Sequence, residues 1–180
     1  METQQKSISF SRRTFLKMSA IAGATLATGC ATRQRGNWEF FTQDEAATLT
    51  AICDQIIPAD DFPSASQASV LNYIDKQITR HYRRYQRAYR QGLGLANQLS
   101  QQQCGKTLAA ASSAEQLRVV TSLEQSDNTF FGVVRRHTFE GYYGSPRHGG
   151  NRNAVSWHML GLDDPPIRGR SRYDLKQGTS

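Results

Sequence analysis

Apolar residues in this chain recur three and four places apart, and no stretch alternates them with polar residues at a spacing of two. The first spacing lays side chains along one stripe of an α-helix, whereas a half-buried strand needs the second. The chain is therefore expected to fold all-α, as a small domain of four to five helices with a loop-rich C-terminal part. Thr42-Gln43-Asp44-Glu45 forms a capping box, in which the threonine and glutamate satisfy free backbone N–H groups at a helix start. Ala46, Leu49, Ile52, Cys53, Ile56 and Ile57 then follow at helical spacing until Pro58 stops the helix. Val70, Leu71, Ile74, Ile78 and Tyr82 mark a second helix running to about Arg90, which Gly92 and Gly94 loosen or end. Residues 95–108 are glutamine-rich and their periodicity decides nothing. Ser112 to Glu115 is a second capping box, opening a helix with Leu117, Val120 and Leu123. Phe130, Val133, Val134 and His137 define another.

Ahead of these helices, Ser11-Arg12-Arg13-Thr14-Phe15-Leu16-Lys17 precedes a nearly uncharged run, Ala20 to Ala31. A basic n-region, an apolar stretch too short and too diluted by Ser19, Thr25 and Thr28 to span a bilayer, and small residues at its end together describe a twin-arginine export signal. Arg12, Arg13, Phe15 and Leu16 are its recognition residues. That address implies passage through the twin-arginine translocase in the folded state, to the periplasm. The expected division is residues 1–30 as signal peptide and residues 31–180 as one helical domain. Cys30 follows Ala27-Thr28-Gly29, an imperfect lipobox. Acylation of Cys30 would tether the mature chain to a membrane, and plain cleavage would free it.

Removing residues 1–30 leaves 18 basic and 14 acidic residues, a net charge of +4. This surplus is too diffuse to point to nucleic acid. Its one cluster, His81 to Arg90, reads as a helix with Tyr82, Tyr85 and Tyr89 on one face and a solvated basic side. Cys53 lies on an apolar helix face, as a buried free thiol does. Cys104 falls in a polar loop and is the candidate for an inter-subunit disulfide, which an oxidising compartment permits. No CxxC pair is present, so c-type haem attachment is not encoded.

Gly141 to Asn153 holds five glycine and proline turn formers in its first ten residues, the composition of a tight irregular loop. Trp157, Met159 and Leu160 belong to a short helix, and Asp163 to Arg170 looks extended. Chemistry is sparse. His81, His137, His148 and His158 lie at least ten residues apart and lack the spacing of a zinc site. No phosphate-cradling glycine motif follows a strand, and no GxSxG nucleophile occurs. Glu140 is a helical neighbour of His137, which alone makes no dyad. The residues assign no catalytic, cofactor-binding or metal site.

Two longer runs carry a resemblance. Phe41 to Leu49, continuing through Ile56-Ile57-Pro58-Ala59-Asp60-Asp61, and His137 to Arg152, with Trp157 and Gly161 behind it, are similar to the signatures of the gluconate 2-dehydrogenase subunit 3 family. The resemblance implies a non-catalytic small subunit that holds no cofactor itself. It implies a large partner of the glucose-methanol-choline type that binds FAD and uses this chain's signal for export. A multihaem cytochrome c subunit carrying haem c is the further partner implied. The substrate stays open among sugars and sugar acids, and the alternative is a freestanding periplasmic lipoprotein or binding module. The glycine, aromatic and arginine content of Gly141 to Asn153 and of the tail 163–172 suggests a partner interface at Gly141, Tyr142, Tyr143, Pro146, Arg147, Gly149, Gly150, Asn151 and Trp157. The competing reading has that loop merely capping the helical core.

Overall fold

The structure, a computed structural model, describes residues 37–126 and 129–162. Among them are six α-helices: α1 (Gln43–Ile56), α2 (Val70–Ile78), α3 (Gln86–Cys104), α4 (Ser113–Gln125), α5 (Thr129–Tyr143) and α6 (Val155–Met159). Short 3₁₀ turns at Arg83–Tyr85, Leu108–Ala110, Pro146–His148 and Arg152–Ala154 join them, and no strand occurs among the described residues.

Both capping boxes form. The Glu45 N–H donates to Thr42 Oγ1 at 3.2 Å and the Thr42 N–H to Glu45 Oε2 at 2.9 Å. Ser112 and Glu115 repeat the reciprocal pair at the start of α4. Helix α1 is the central element, packing against α2, α3, α4 and α5. Its inward stripe, with Leu49 and Ile52 fully buried, is the one the helical spacing predicts. Each such side chain contributes roughly 1.5–3 kcal/mol by leaving water.

The segment before α1 is fastened from two sides. Backbone N–H groups of Glu39, Phe40 and Phe41 donate to the buried Asp75 carboxylate at 2.7, 2.9 and 3.3 Å. Arg90 lies 4.1 Å over the Phe40 ring, donates to the Phe40 carbonyl at 2.7 Å, and pairs with Glu45.

Four sequence expectations need correction. The helix expected from Val70 to about Arg90 is two helices, broken at residues 79–82, although no glycine or proline stands there. The exposed carbonyls at the end of α2 are met instead by nearby donors: Tyr82 N–H to Gln77 O, Arg83 Nε to Thr79 O and Gln86 Nε2 to Ile78 O. Gly92 and Gly94 do not end α3. A Cβ on Gly92 would stand 2.0 Å from Phe130 Cγ, so its bare surface is the notch into which α5 packs. Cys104 is the last residue of α3 rather than part of a loop, and Gly105, at φ 68°, supplies the left-handed stop. Finally, Gly141, Tyr142 and Tyr143 are the last turn of α5 and not part of an irregular loop.

Candidate functional site

The end of α5 and the loop behind it bring together the residues singled out in the sequence. Tyr142 is buried and its hydroxyl donates to the Pro63 carbonyl at 2.7 Å, tying α5 to the turn after α1. Gly150 passes so close to α5 that a Cβ there would stand 2.2 Å from the Gly141 carbonyl oxygen. Only glycine permits that approach. Asn151, fully buried in a left-handed conformation, donates to the Gly144 carbonyl at 2.8 Å and accepts from the Ser156 N–H at 3.0 Å. Asn72 reaches the Gly149 carbonyl at 2.6 Å, and Trp157 Nε1 donates to the Tyr143 carbonyl at 3.0 Å. Gly141, Tyr142, Gly150 and Asn151 thus face inward, Pro146, Gly149 and Trp157 are half-buried, and Tyr143 and Arg147 are exposed.

Backbone strain gathers in the same loop. Asn151, Asn153 and Ala154 have φ of 44°, 58° and 53°, which for the alanine costs on the order of 1 kcal/mol. The surrounding hydrogen bonds, including Arg152 N–H to the Ala68 carbonyl at 3.0 Å, hold it there.

On the outer side of α5, a cleft of about 210 Å³ is lined by Ile57, Pro58, Phe62, Phe139, Tyr143 and Met159, among others. Phe139 and Tyr143, one helical turn apart, stack with ring centroids 6.2 Å apart. Neither spacing nor composition singled out Phe62 and Phe139, because a helical pattern does not say which apolar side chains remain uncovered.

A second constellation was also missed. His137 is fully buried with its ring 4.2 Å from that of Tyr82, nearly parallel, and its Nδ1 2.9 Å from the Tyr89 hydroxyl. Glu140 accepts from the Tyr82 hydroxyl at 2.8 Å and from the Tyr73 hydroxyl at 3.4 Å, with Arg136 3.7 Å away. Burial pulls the His137 pKa down to about 4 against the opposing pull of the Glu140 charge, and burial pushes Tyr73, Tyr82 and Tyr89 up. A neutral, enclosed imidazole between tyrosines is a packing and hydrogen-bonding unit that joins α3 to α5. The tyrosines come from residues 48 or more positions away in the chain, so only the His137–Glu140 spacing was visible beforehand.

Among the described residues no group of three or more His, Cys, Asp or Glu is placed to hold a metal. Cys53 is a buried free thiol whose pKa burial raises to about 12, and Cys104 is a half-buried free thiol. No helix among the described residues is long and apolar enough to cross a membrane. Arg12, Arg13, Phe15, Leu16, Cys30 and the tail from residue 163 lie outside the described residues.

Two family models match the chain. One, described as gluconate 2-dehydrogenase subunit 3, matches residues 43–163, and so includes the capped helix α1, the α5 cleft and the strained loop. The other, the twin-arginine translocation pathway signal sequence, matches residues 9–29. No curated protein and no solved structure matches.

Proposed function

Because this chain belongs to the gluconate 2-dehydrogenase subunit 3 family and carries an export signal, we propose that it is the non-catalytic escort of a folded, FAD-containing dehydrogenase subunit. One observation carries this reading: a signal for the route that moves folded proteins and a dehydrogenase-subunit domain stand on the same chain. The large subunit, of the glucose-methanol-choline type, oxidises a sugar or sugar acid and passes the hydride to its flavin. Its own export depends on Arg12 and Arg13 of this chain, to which it is bound before translocation. A multihaem cytochrome c subunit takes the electrons onward in the assembled complex. The mature chain resides in the periplasm with that complex.

The helical domain's part is to be a rigid platform. Asp75 and Arg90 fasten the segment leading out of the signal region to the folded core, so a pull on the signal is transmitted to α1 and α2 and through them to whatever the domain holds.

Affinity isolation of the mature chain from the periplasm tests the reading. The expected result is co-isolation of a larger protein with a flavin absorption spectrum and sugar or sugar-acid oxidising activity toward a dye acceptor. Recovery of the chain alone, or with a partner lacking flavin, contradicts it.

A further inference from the structure

The arginines between α2 and α3, expected from the sequence to form a solvated basic side, are gathered in the fold into one patch beside the segment that leads into α1. Arg83, Arg84 and Arg87 stand on the 3₁₀ turn and the first turn of α3, all exposed. Arg87 lies three and four places beyond Arg84 and Arg83, the spacing that makes side chains neighbours on a helix. Arg83 Nε reaches back to the Thr79 carbonyl at 2.6 Å, next to the exposed Arg80. Tyr85 draws in a fifth arginine, from α5. Arg84 lies 4.8 Å and Arg136 5.6 Å from the centre of its ring, and Arg136 Nη2 donates to its hydroxyl at 2.9 Å.

Two carboxylates reach these five arginines, Glu39 at 3.9 Å from Arg80 and Glu140 at 3.7 Å from Arg136. Arg83, Arg84 and Arg87 pair with no carboxylate among the described residues, so three charges stand uncompensated. The stretch from Thr79 to Arg90 contributes no exposed large apolar side chain. Protein partners dock around an apolar centre and keep their charges at the rim. This patch has the charge and lacks the centre, which suits a partner recognised by charge alone. Guanidinium groups are the side chains that pair with phosphate in bidentate fashion.

The place of the patch in the chain selects the partner. Glu39 lies against it, accepting from Thr79 Oγ1 at 2.9 Å and meeting Arg80. The export-signal match ends at residue 29, ten positions before Glu39, and covalent geometry limits that span to about 35 Å. A signal engaged at a membrane therefore tethers the patch close to the lipid surface and raises the effective concentration of headgroups around it. We propose that Arg80, Arg83, Arg84, Arg87 and Arg136 dock the folded domain on the anionic headgroups of the membrane that the signal engages. The proposal rests on the export signal and is independent of which protein the chain accompanies. Each uncompensated arginine at an anionic surface strengthens binding about fivefold, so Arg83, Arg84 and Arg87 together contribute about a hundredfold.

The purified full chain, signal included, is mixed with vesicles of phosphatidylglycerol and phosphatidylethanolamine, and separately with vesicles of phosphatidylcholine alone. It is compared with the triple variant Arg83→Gln, Arg84→Gln, Arg87→Gln and with the control Lys106→Gln, Arg118→Gln, Arg152→Gln, which removes as much charge elsewhere. Binding is read by co-sedimentation at low ionic strength, where screening is weak. On the anionic vesicles the affinity of the triple variant falls about a hundredfold and the control keeps that of the wild type. On phosphatidylcholine the three proteins bind alike, through the signal. A folded triple variant that loses less than tenfold, or no more than the control, overturns the proposal. Should the triple variant lose its helical circular dichroism, Arg87→Gln alone is read instead, with about fivefold expected and less than twofold contradicting. A triple variant that keeps wild-type vesicle binding but no longer co-purifies a protein captured by the wild type hands the patch to that protein and overturns the proposal. Anionic-vesicle binding abolished by inorganic phosphate at matched ionic strength hands it to a free anion and does the same.

Discussion

Gly92 and Gly94 lie two residues apart in α3, and their surroundings make them respond in opposite ways to the same added methyl. Gly92→Ala drives a Cβ into the Phe130 ring, 2.0 Å from Cγ, and is expected to cost about 2 kcal/mol in urea denaturation. Gly94→Ala meets nothing within 4 Å and is expected to gain about 0.8 kcal/mol from helix propensity. Equal effects at the two sites would contradict the notch. In the sequence both glycines read as helix breakers, because a lone glycine looks the same whether it ends a helix or admits a neighbour. His137 supplies a pH test at the same scale. An unfolded histidine takes a proton near pH 6.5, whereas the buried one holds out to about 4. Between these values only the unfolded state binds that proton. Stability from this group is therefore flat above about pH 6.5 and is lost as pH falls toward about 4. His137→Phe keeps the stacking against Tyr82 and removes the titration, so its Tm should fall less than that of the wild type across this window. Parallel Tm curves would refute the assignment.

Element boundaries were legible where a local signal sets them. Thr42 and Ser112 each stand three residues before a glutamate and start their helices as the capping box demands, and α1 ends beside Pro58. The break after α2 was not legible, because its carbonyls are met by Arg83 and Gln86, residues that carry no stop signal of their own. The same holds for the leading segment, whose anchor Asp75 sits 34–36 positions downstream. Asp75→Asn replaces one acceptor oxygen by an amide group and weakens a charge-assisted cluster of three backbone donors. It is expected to cost about 2 kcal/mol and to speed hydrogen exchange at residues 39–41 more than in α4. A loss below about 0.5 kcal/mol, or uniform exchange, would show that the segment is held by other means.

For the whole molecule, the two family signatures and the export signal were readable because each is carried by residues near one another in the chain. The cleft on α5 was not. Tyr142 and Tyr143 are adjacent in sequence, yet packing buries the first and leaves the second exposed. The escort role proposed above requires that the cargo be held through export. At an association rate of about 10⁶ M⁻¹s⁻¹, a bond lasting minutes corresponds to a Kd of roughly 10 nM. Whether one signal serves two proteins is tested by replacing Arg12 and Arg13 with lysine and locating the flavoprotein by cell fractionation. Both chains are expected to remain in the cytoplasm, with dye-linked dehydrogenase activity lost from the periplasm. A flavoprotein that still reaches the periplasm while this chain stays behind would contradict it.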